Sequence, residues 1–242
     1  MAITAMFISQ GGKMSKRIER IFSRIYKNYD LINYVLSFGI DRIWRAKIVK
    51  MALRNVDNVK VLDAASGTGD LSIELFKFSK KYGKNVDISA IDINEDMLSV
   101  AKSKIKKRGF KINIKVDNAL KTSYPSASFD VVVSAFGMRN FDDLDKFASE
   151  VMRLLKLNGT FVLADMSMPV KKYQKFFFKP YLLMIKFIGF FVDKEAYDWL
   201  VYSIQKFNFN KAEKIFELQG FKDVKIIPLT FGITSVIIGK KI

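Results

Sequence analysis

The middle of the chain alternates short apolar runs with segments in which apolar residues recur every three or four positions. The first pattern is typical of buried strands and the second of amphipathic helices. Because the two alternate regularly, we expect an α/β fold with a parallel sheet and helices on both faces. The predicted strands are 59–65, 86–93, 112–116, 129–136 and 160–165, and the predicted helices are 70–81, 95–107 and 142–156, the last ending at a left-handed Gly159.

Helices and two further strands flank this alternation. Apolar spacing predicts one helix over 15–36, a break at Gly39, and a second helix that Asp41 caps and that runs to about Arg54. After the sheet the pattern predicts helices over 194–220, then an antiparallel hairpin. The hairpin strands are 221–228 and 235–239, and we assign residues 1–14 to a loose tail, 15–242 to one domain and 15–57 to a helical lid.

The most apolar segment, 171–192, contains two groups of aromatic residues. A membrane span needs about 20 uninterrupted apolar residues, and Lys175, Lys179, Pro180 and Lys186 interrupt this run. Two interpretations stay open. The segment covers a lipophilic pocket or lies in a bilayer interface, or it simply packs in the core. We place it in a helical insertion over a substrate pocket, 168–210.

Composition excludes several kinds of chemistry. The 242 residues include no cysteine and no histidine, so disulfides, thiolate or histidine metal sites, a Ser-His-Asp triad and a histidine base are impossible. We predict no metal site and a cytoplasmic location, because the absence of cysteine fits a reducing compartment and no signal peptide is recognisable.

The chain is strongly basic, with 41 Lys+Arg against 24 Asp+Glu and a net charge of +17. Such a surface serves nucleic acid, serves an anionic membrane, or is only a solvated face. Charge alone leaves these three interpretations open.

One predicted strand leads into a glycine turn with acidic neighbours. The stretch 59–71 predicts a buried strand, a turn through Gly67 and Gly69, and a helix that Asp70 caps. This order makes a nucleotide-type site at the carboxyl end of a strand. The dinucleotide and Walker fingerprints are both absent. Asp63 and Asp70 favour a cationic ligand over a phosphate, because carboxylates repel phosphates.

Polar residues also follow the second and third predicted strands. Asp92 ends one of them, where a carboxylate can accept hydrogen bonds from two ribose hydroxyls. Asn118 follows the other, where a polar group can reach an adenine edge. The alternatives are that Asp92 or Asn94 caps the next helix and that residues 117–118 simply form a turn. Because each position follows a successive strand, we expect all of them to lie at one edge of the sheet.

Several stretches together resemble the class I S-adenosylmethionine-dependent methyltransferases and, within them, the ubiquinone/menaquinone biosynthesis C-methyltransferases. The resemblance runs from about Arg17 to Lys240. The matching stretches are Tyr29–Asn33, Ser37–Ile40 with Arg42–Arg45, Val61–Asp63 with Gly67–Asp70, Asp92–Leu98, Phe136–Asn140 and Ser203–Phe207.

The resemblance implies a Rossmann-like three-layer sandwich with a mostly parallel seven-stranded sheet. It implies S-adenosylmethionine as cofactor and C-methylation of a polyprenylated quinol; the alternative acceptor is a phospholipid amine or another small metabolite. Nucleic acid is not an expected partner. Contact with an anionic membrane at its inner face, and a homodimer, are further expectations that stay open.

The resemblance also assigns site residues. Arg139 and Asn140 would lie beside the reacting centre, and the alternative for Arg139 is a structural ion pair with an acidic residue such as Asp142 or Asp143. Without histidine, the base must be a carboxylate, a tyrosine or a water molecule. The cofactor would be held by Asp63, Gly67, Thr68, Gly69, Asp92, Asn118 and Ala119, with Tyr29 covering it and Ala135 lining its other side.

Two residues depart from the family pattern. Ser66 stands where glycine is usual, which is tolerable if Ser66 keeps a negative φ. Asp41 stands where histidine is usual.

Overall fold

The computed structural model describes residues 16–242, so the tail predicted over 1–14 lies outside the described residues. Seven strands form one sheet in the order β3-β2-β1-β4-β5-β7-β6. Strands β1 to β6 run in one direction, and β7, which lies between β5 and β6, runs in the opposite direction. The strands are β1 Val59–Ala64, β2 Val86–Asp92, β3 Asn113–Val116, β4 Phe129–Ala135, β5 Leu155–Met166, β6 Lys222–Leu229 and β7 Thr234–Lys240.

Helices cover both faces of the sheet, so the predicted three-layer α/β fold with its antiparallel hairpin is confirmed. The helices are α1, whose described residues are 16–25, α2 Tyr29–Leu36, α3 Ile40–Leu53, α4 Asp70–Lys81, α5 Glu95–Lys107, α6 Leu144–Leu154, α7 Lys172–Val192, α8 Lys194–Lys206 and α9 Phe209–Leu218.

The alternation of side chains along β4 shows how the layers divide. Val132 packs with residues of α6 and α9, while Val131 and Val133 pack with residues of α3 and α4 on the other face. All three side chains are buried. A strand buried on both faces is therefore apolar at successive positions, as its sequence indicates.

The single helix predicted over 15–36 is wrong, because the chain breaks at residues 26–28. Asn28 precedes α2, and asparagine is a poor helix former. The break also has a tertiary reason. Asp30, at the start of α2, accepts a hydrogen bond of 2.5 Å from the Thr68 hydroxyl in the turn after β1. This contact outweighs the helical periodicity of the segment.

The predicted cap at Asp41 is also wrong. Gly39 is the N-cap of α3, with a left-handed φ of 73°. A Cβ at this position would lie 2.8 Å from the Tyr34 ring, so the turn needs glycine for space as well. Asp41 is the second residue of α3, in its first turn, where it pairs with Arg45 and accepts a hydrogen bond of 2.8 Å from Ser37.

The turn between α6 and β5 differs from its prediction. The helix ends at Leu154 and β5 begins at the next residue. Asn158, with φ 63°, takes the left-handed conformation that we expected of Gly159. Gly159 is needed for space instead, because a Cβ there would lie 2.8 Å from the Lys156 carbonyl oxygen.

Helix α7 has one buried face and one exposed apolar face. Phe178, Leu182 and Ile185 pack in a core with residues of α1, α2 and α8, so the insertion and the N-terminal helices share one hydrophobic cluster. No helix among the described residues is long and apolar enough to cross a membrane. The exposed apolar residues of α7 are Tyr173, Phe176, Phe177, Leu183, Phe187, Phe190, Phe191 and Val192.

Candidate active site

A cavity lies at the edge of the sheet where β1, β2 and β4 end. Parallel strands bring their carboxyl ends to one edge, so residues far apart in sequence meet there. Every predicted cofactor residue except Gly69 lines this cavity, and Asn140 lines it as well. We name it the cofactor pocket; the predicted residues in its wall are Tyr29, Asp63, Gly67, Thr68, Asp92, Asn118, Ala119 and Ala135.

The turn after β1 depends on two glycines. Gly67 and Gly69 have φ of 53° and 79°, which favour glycine. A Cβ at Gly69 would lie 2.9 Å from Cβ of Ala101 on α5. Gly69 is also the N-cap of α4, so the cap predicted at Asp70 is wrong. Asp70 lies in the first turn, where its carboxylate pairs with Lys104.

Ser66 fits the turn without backbone strain. The left-handed residues are its neighbours Ala65 and Gly67, while Ser66 keeps a negative φ. Its amide donates to the Ile91 carbonyl at 2.8 Å, and its own carbonyl accepts from Gly69 N at 2.9 Å. The departure from glycine is therefore accommodated by the backbone, and the hydroxyl of Ser66 becomes part of the pocket wall.

Asp92 connects the glycine turn to the end of β2 through hydrogen bonds. Its carboxylate accepts hydrogen bonds from Gly67 N at 2.8 Å and from Asn94 N at 2.9 Å. Asn94 is the cap of α5, since its side chain accepts from Met97 N. Burial raises the pKa of Asp92. Each carboxylate oxygen has a second lone pair, so Asp92 can still accept hydroxyl donors from a ligand.

Asp63 is fully buried at the end of β1. The Ser72 hydroxyl donates to its Oδ2 at 2.5 Å. Burial raises the pKa of Asp63 to about 7, because a charged carboxylate loses its hydration in the interior. Because this pKa is close to neutral pH, a charged group placed beside the Asp63 carboxyl can change its protonation state.

Asn118 has the local role that the turn interpretation describes. Its side-chain oxygen accepts from Leu120 N at 2.9 Å, and Asp117 accepts from the Ser123 amide and hydroxyl. Asn118 and Ala119 nevertheless line the cofactor pocket. Asn118 therefore stabilises the turn and also lines the pocket.

A charged network that the sequence analysis missed ties the N-terminal helices to the pocket. Lys104 of α5 contacts the carboxylates of both Asp30 (2.7 Å) and Asp70. Arg45 of α3 pairs with Asp41 and reaches Asp70 at 3.8 Å. One signal was available: Lys104 falls on the apolar face of α5, seven residues after a buried methionine.

Arg139 and Asn140 follow β4 and are both held by other side chains. Arg139 forms a buried structural ion pair, as the alternative predicts, but its partner is Asp165 on β5 and not one of the two aspartates given as examples. Its NH1 also donates to the Phe136 carbonyl at 3.0 Å. Trp199 donates to Oδ1 of Asn140 at 3.0 Å, which leaves the amide nitrogen as the donor group of Asn140.

Arg139 lies outside the wall of the cofactor pocket, in a smaller space beside it. This adjoining space shares the wall residues Tyr29, Arg45 and Phe136 with the cofactor pocket. Burial raises the pKa of Tyr29, against the opposing effect of the Arg139 charge. The phenol is therefore protonated at neutral pH and acts as a hydrogen-bond donor.

Comparison with known families identifies the chain. The model of the ubiE/COQ5 methyltransferase family matches residues 10–241. The chain belongs to this family. It is therefore an S-adenosylmethionine-dependent methyltransferase, as the resemblance of its motifs implied.

Curated relatives match along nearly the whole chain. The ubiquinone/menaquinone biosynthesis C-methyltransferase UbiE of Rickettsia akari is 36% identical over 93% of this chain and 92% of its own length. The demethylmenaquinone methyltransferase of Bacteroides fragilis is 34% identical, covering 94% of each protein.

Solved structures share the fold. A SAM dependent methyltransferase from Aquifex aeolicus superposes with a TM-score of 0.58 at 20% identity, covering 82% of this chain and 89% of its own. Phosphoethanolamine N-methyltransferase 2 of Haemonchus contortus, in complex with S-adenosyl-L-methionine, gives a TM-score of 0.60 at 15% identity, with 82% and 52% covered. Structural likeness at this identity shows the fold and does not select the methyl acceptor.

The residues of the cofactor pocket fit S-adenosylmethionine. This cofactor carries an ammonium and a sulfonium group and no phosphate, and carboxylates of Asp63 and Asp92 lie in the pocket wall. Two buried polar atoms of the wall, Asp63 Oδ1 and Ser66 Oγ, have no hydrogen-bond partner among the described residues. Buried polar atoms are normally paired, so this wall suits a polar ligand.

The substitution Asp63→Asn is expected to make the free energy of unfolding of this enzyme less dependent on pH. A carboxyl with a folded-state pKa of about 7 contributes stability that is fully present below its unfolded pKa and is lost as pH rises through about 7. The wild type should thus lose about 2–3 kcal/mol relative to Asp63→Asn between pH 5 and pH 8. Urea unfolding of both proteins across this range measures the difference. Asp92 is present in both proteins and cancels; a difference independent of pH would contradict the raised pKa.

Proposed function

We propose that the methyl acceptor is a ring carbon of a quinol that carries a polyprenyl tail. The observation that supports this proposal is the full-length similarity to quinone-biosynthesis C-methyltransferases, at 34–37% identity over at least 90% of the chain. The chain catalyses S-adenosylmethionine-dependent C-methylation in quinone biosynthesis. The demethylmenaquinol ring and the equivalent benzoquinol are the two acceptors of this class.

In the proposal, the cofactor pocket orients the methyl donor. Bound S-adenosylmethionine supplies an activated methyl group. Asp92 accepts hydrogen bonds from the ribose hydroxyls, and Asn118 with Ala119 lies against the adenine. Asp63, Gly67 and Thr68 face the charged end, while Gly69, which lies outside the pocket wall, shapes the turn. Tyr29 covers the cofactor from α2 and Ala135 lines its other side, so the protein mainly aligns donor and acceptor and excludes water.

The acceptor ring would occupy the adjoining space. Loss of a hydroxyl proton makes a quinol ring carbon more electron-rich, and the guanidinium of Arg139 can stabilise the resulting phenolate. The amide nitrogen of Asn140 can donate to the same oxygen. Tyr29 is protonated and is not the base. Asp41 is the one carboxylate among the described residues that line the adjoining space, so this carboxylate or a water molecule takes the proton.

Quinone profiling tests the acceptor. A strain that lacks this gene should accumulate the demethylated quinone, and the purified protein with S-adenosylmethionine should methylate a demethylated quinol on carbon, detected by mass spectrometry. An unchanged quinone pool together with a newly missing methylated phospholipid amine would overturn the proposal in favour of the alternative acceptor class.

We also propose that the enzyme visits an anionic membrane through the exposed face of α7. That face combines exposed phenylalanines with exposed lysines at positions 172, 175, 179 and 186. Aromatic side chains enter the interface, and each lysine near an anionic surface contributes about 1 kcal/mol. The net charge of +17 acts in the same direction.

Vesicle sedimentation measures this contact. Binding to phosphatidylglycerol vesicles should be strong at low salt and weak at high salt. The double variant Phe187→Gln/Phe190→Gln should bind at least about threefold more weakly, while Leu218→Gln, an exposed leucine on α9, serves as the control. Absence of binding at low salt removes the proposal. Homodimerisation is a separate prediction, which light scattering of the purified protein tests.

A further inference from the structure

A second cavity, with a volume of about 490 Å³, lies between the α2–α3 turn, the start of α7 and the β6–β7 turn. Its size falls in the range of roughly 300–1,000 Å³ that small-molecule sites occupy. We name it the apolar cavity. Its inner wall includes Leu36, Trp44, Phe178 and Tyr181, and no charged residue lines it among the described residues.

The polar groups of the apolar cavity are largely satisfied inside the protein. The Ser37 hydroxyl donates to Asp41 at 2.8 Å, and the Thr230 hydroxyl accepts from Trp44 Nε1 at 2.8 Å. Burial raises the pKa of Tyr181 to about 12, so its phenol is uncharged. A ligand of this cavity is therefore recognised by apolar contact and not by charge.

The apolar cavity lies directly beside the reaction site, and the two share wall residues. Leu36, Ser37, Trp44 and Tyr181 line both the apolar cavity and the adjoining space that holds Arg139. The adjoining space in turn shares three wall residues with the cofactor pocket. This adjacency places a ring beside Arg139 and an apolar chain in the apolar cavity within the reach of one elongated molecule.

Three phenylalanines form the outer rim of the apolar cavity. Phe38, Phe177 and Phe231 are 73%, 74% and 78% exposed. Two of them also have left-handed backbones, with φ of 52° at Phe38 and 56° at Phe231. Bulky residues seldom adopt this conformation. Phe38 and Phe231 are exposed, so packing in the core does not compensate for their backbone strain. Backbone strain of this kind is concentrated at functional sites.

We propose that the apolar cavity binds the first isoprene units of the acceptor's tail, with the rim phenylalanines receiving that tail. This inference rests on the proposed function, since it needs an acceptor with a polyprenyl chain. The exposed face of α7 continues from the rim, because Phe177 lies on the same helix. A tail that enters here comes from the side of the molecule that carries the most exposed aromatic surface.

Two neighbouring residues provide a matched test. Phe176 and Phe177 have similar exposure, 72% and 74%, and their ring centroids lie 5.6 Å apart, but only Phe177 lines the apolar cavity. The assay compares kcat/KM for a demethylnaphthoquinol without a tail and for the same ring with a geranyl tail, in buffer without vesicles. The wild type should prefer the tailed acceptor by at least about tenfold.

Phe177→Gln should reduce this preference at least threefold, and Phe176→Gln should leave it unchanged. Gln174→Trp, which fills the apolar cavity from the solvent side of α7, should bring the ratio of the two kcat/KM values towards one. Affinity for S-adenosylmethionine shows that each variant is folded. If all variants keep the wild-type preference, the tail site is wrong while the proposed function stands. If neither quinol is methylated by the wild type, the proposed function itself fails.

Discussion

Replacing Asp92 by alanine is expected to raise the dissociation constant for S-adenosylmethionine about 100-fold. In the proposed site Asp92 accepts two ribose hydroxyls, and hydrogen bonds to a charged group contribute about 1.5–3 kcal/mol each. A loss of about 3 kcal/mol corresponds to two orders of magnitude in affinity. The variant also loses the acceptor for Gly67 N, so the glycine turn becomes less well ordered. Isothermal titration calorimetry with the purified protein measures the change.

A second variant separates charge from geometry. Asp92→Asn keeps an acceptor oxygen for the turn and should weaken cofactor binding about tenfold. Asp87→Ala is the control, because Asp87 lies on the same strand with an exposed side chain. An Asp92→Ala protein that binds the cofactor within threefold of the wild type would show that the ribose is held elsewhere.

Arg139→Leu is expected to lower the free energy of unfolding by about 3–5 kcal/mol. The Arg139 and Asp165 side chains are only 7% and 0% exposed, so removing the guanidinium leaves a buried carboxylate without its counter-ion. Asp165 also accepts from the backbone amides of Arg139 at 2.9 Å and Met166 at 2.7 Å, which holds the charge in place. Urea unfolding measures the loss.

A double variant distinguishes this structural role from catalysis. Arg139→Leu/Asp165→Asn removes both charges and keeps the backbone contacts, so it should regain at least half of the lost stability. Methyl transfer should stay absent, because the proposed phenolate partner is gone. Lys194→Leu, which breaks the exposed pair with Asp198, should change stability by less than about 1 kcal/mol. Recovery of activity in the double variant would exclude a catalytic role for Arg139.

The sheet and the position of the pocket could be predicted because they depend on local pattern. Strands β1, β2, β4 and β5 each carry a run of buried residues, while β3 is short and mostly exposed. Each polar residue that follows one of these parallel strands must come to the same edge. Asp92 and Asn118 lie where that rule places them. The apolar periodicity predicted the helices equally well: α4 and α5 have the predicted bounds, and α6 lies within its predicted range.

The errors occurred where a distant contact decides between local alternatives. The break before Tyr29 exists because Asp30 reaches Thr68, 38 residues along the chain. The ion-pair partner of Arg139 is Asp165 on β5, and the sequence around Arg139 does not indicate this pairing. The break predicted at Gly39 is confirmed, but Gly39 and not Asp41 is the N-cap of α3. Asn158 takes the left-handed conformation that was expected of Gly159. The apolar cavity has no sequence motif, since three separate segments form it.

The order of the strands has a consequence for how the protein is made. β5 is complete at Met166, but its antiparallel neighbour β7 begins only at Thr234. At about 5–20 residues per second, a ribosome needs several seconds to synthesise the residues between them. During that interval the nascent chain carries an unpaired apolar strand edge and the aromatic α7, both of which favour aggregation. We therefore expect added chaperone to raise the yield of folded enzyme more than added cofactor does, and slower translation to lower it.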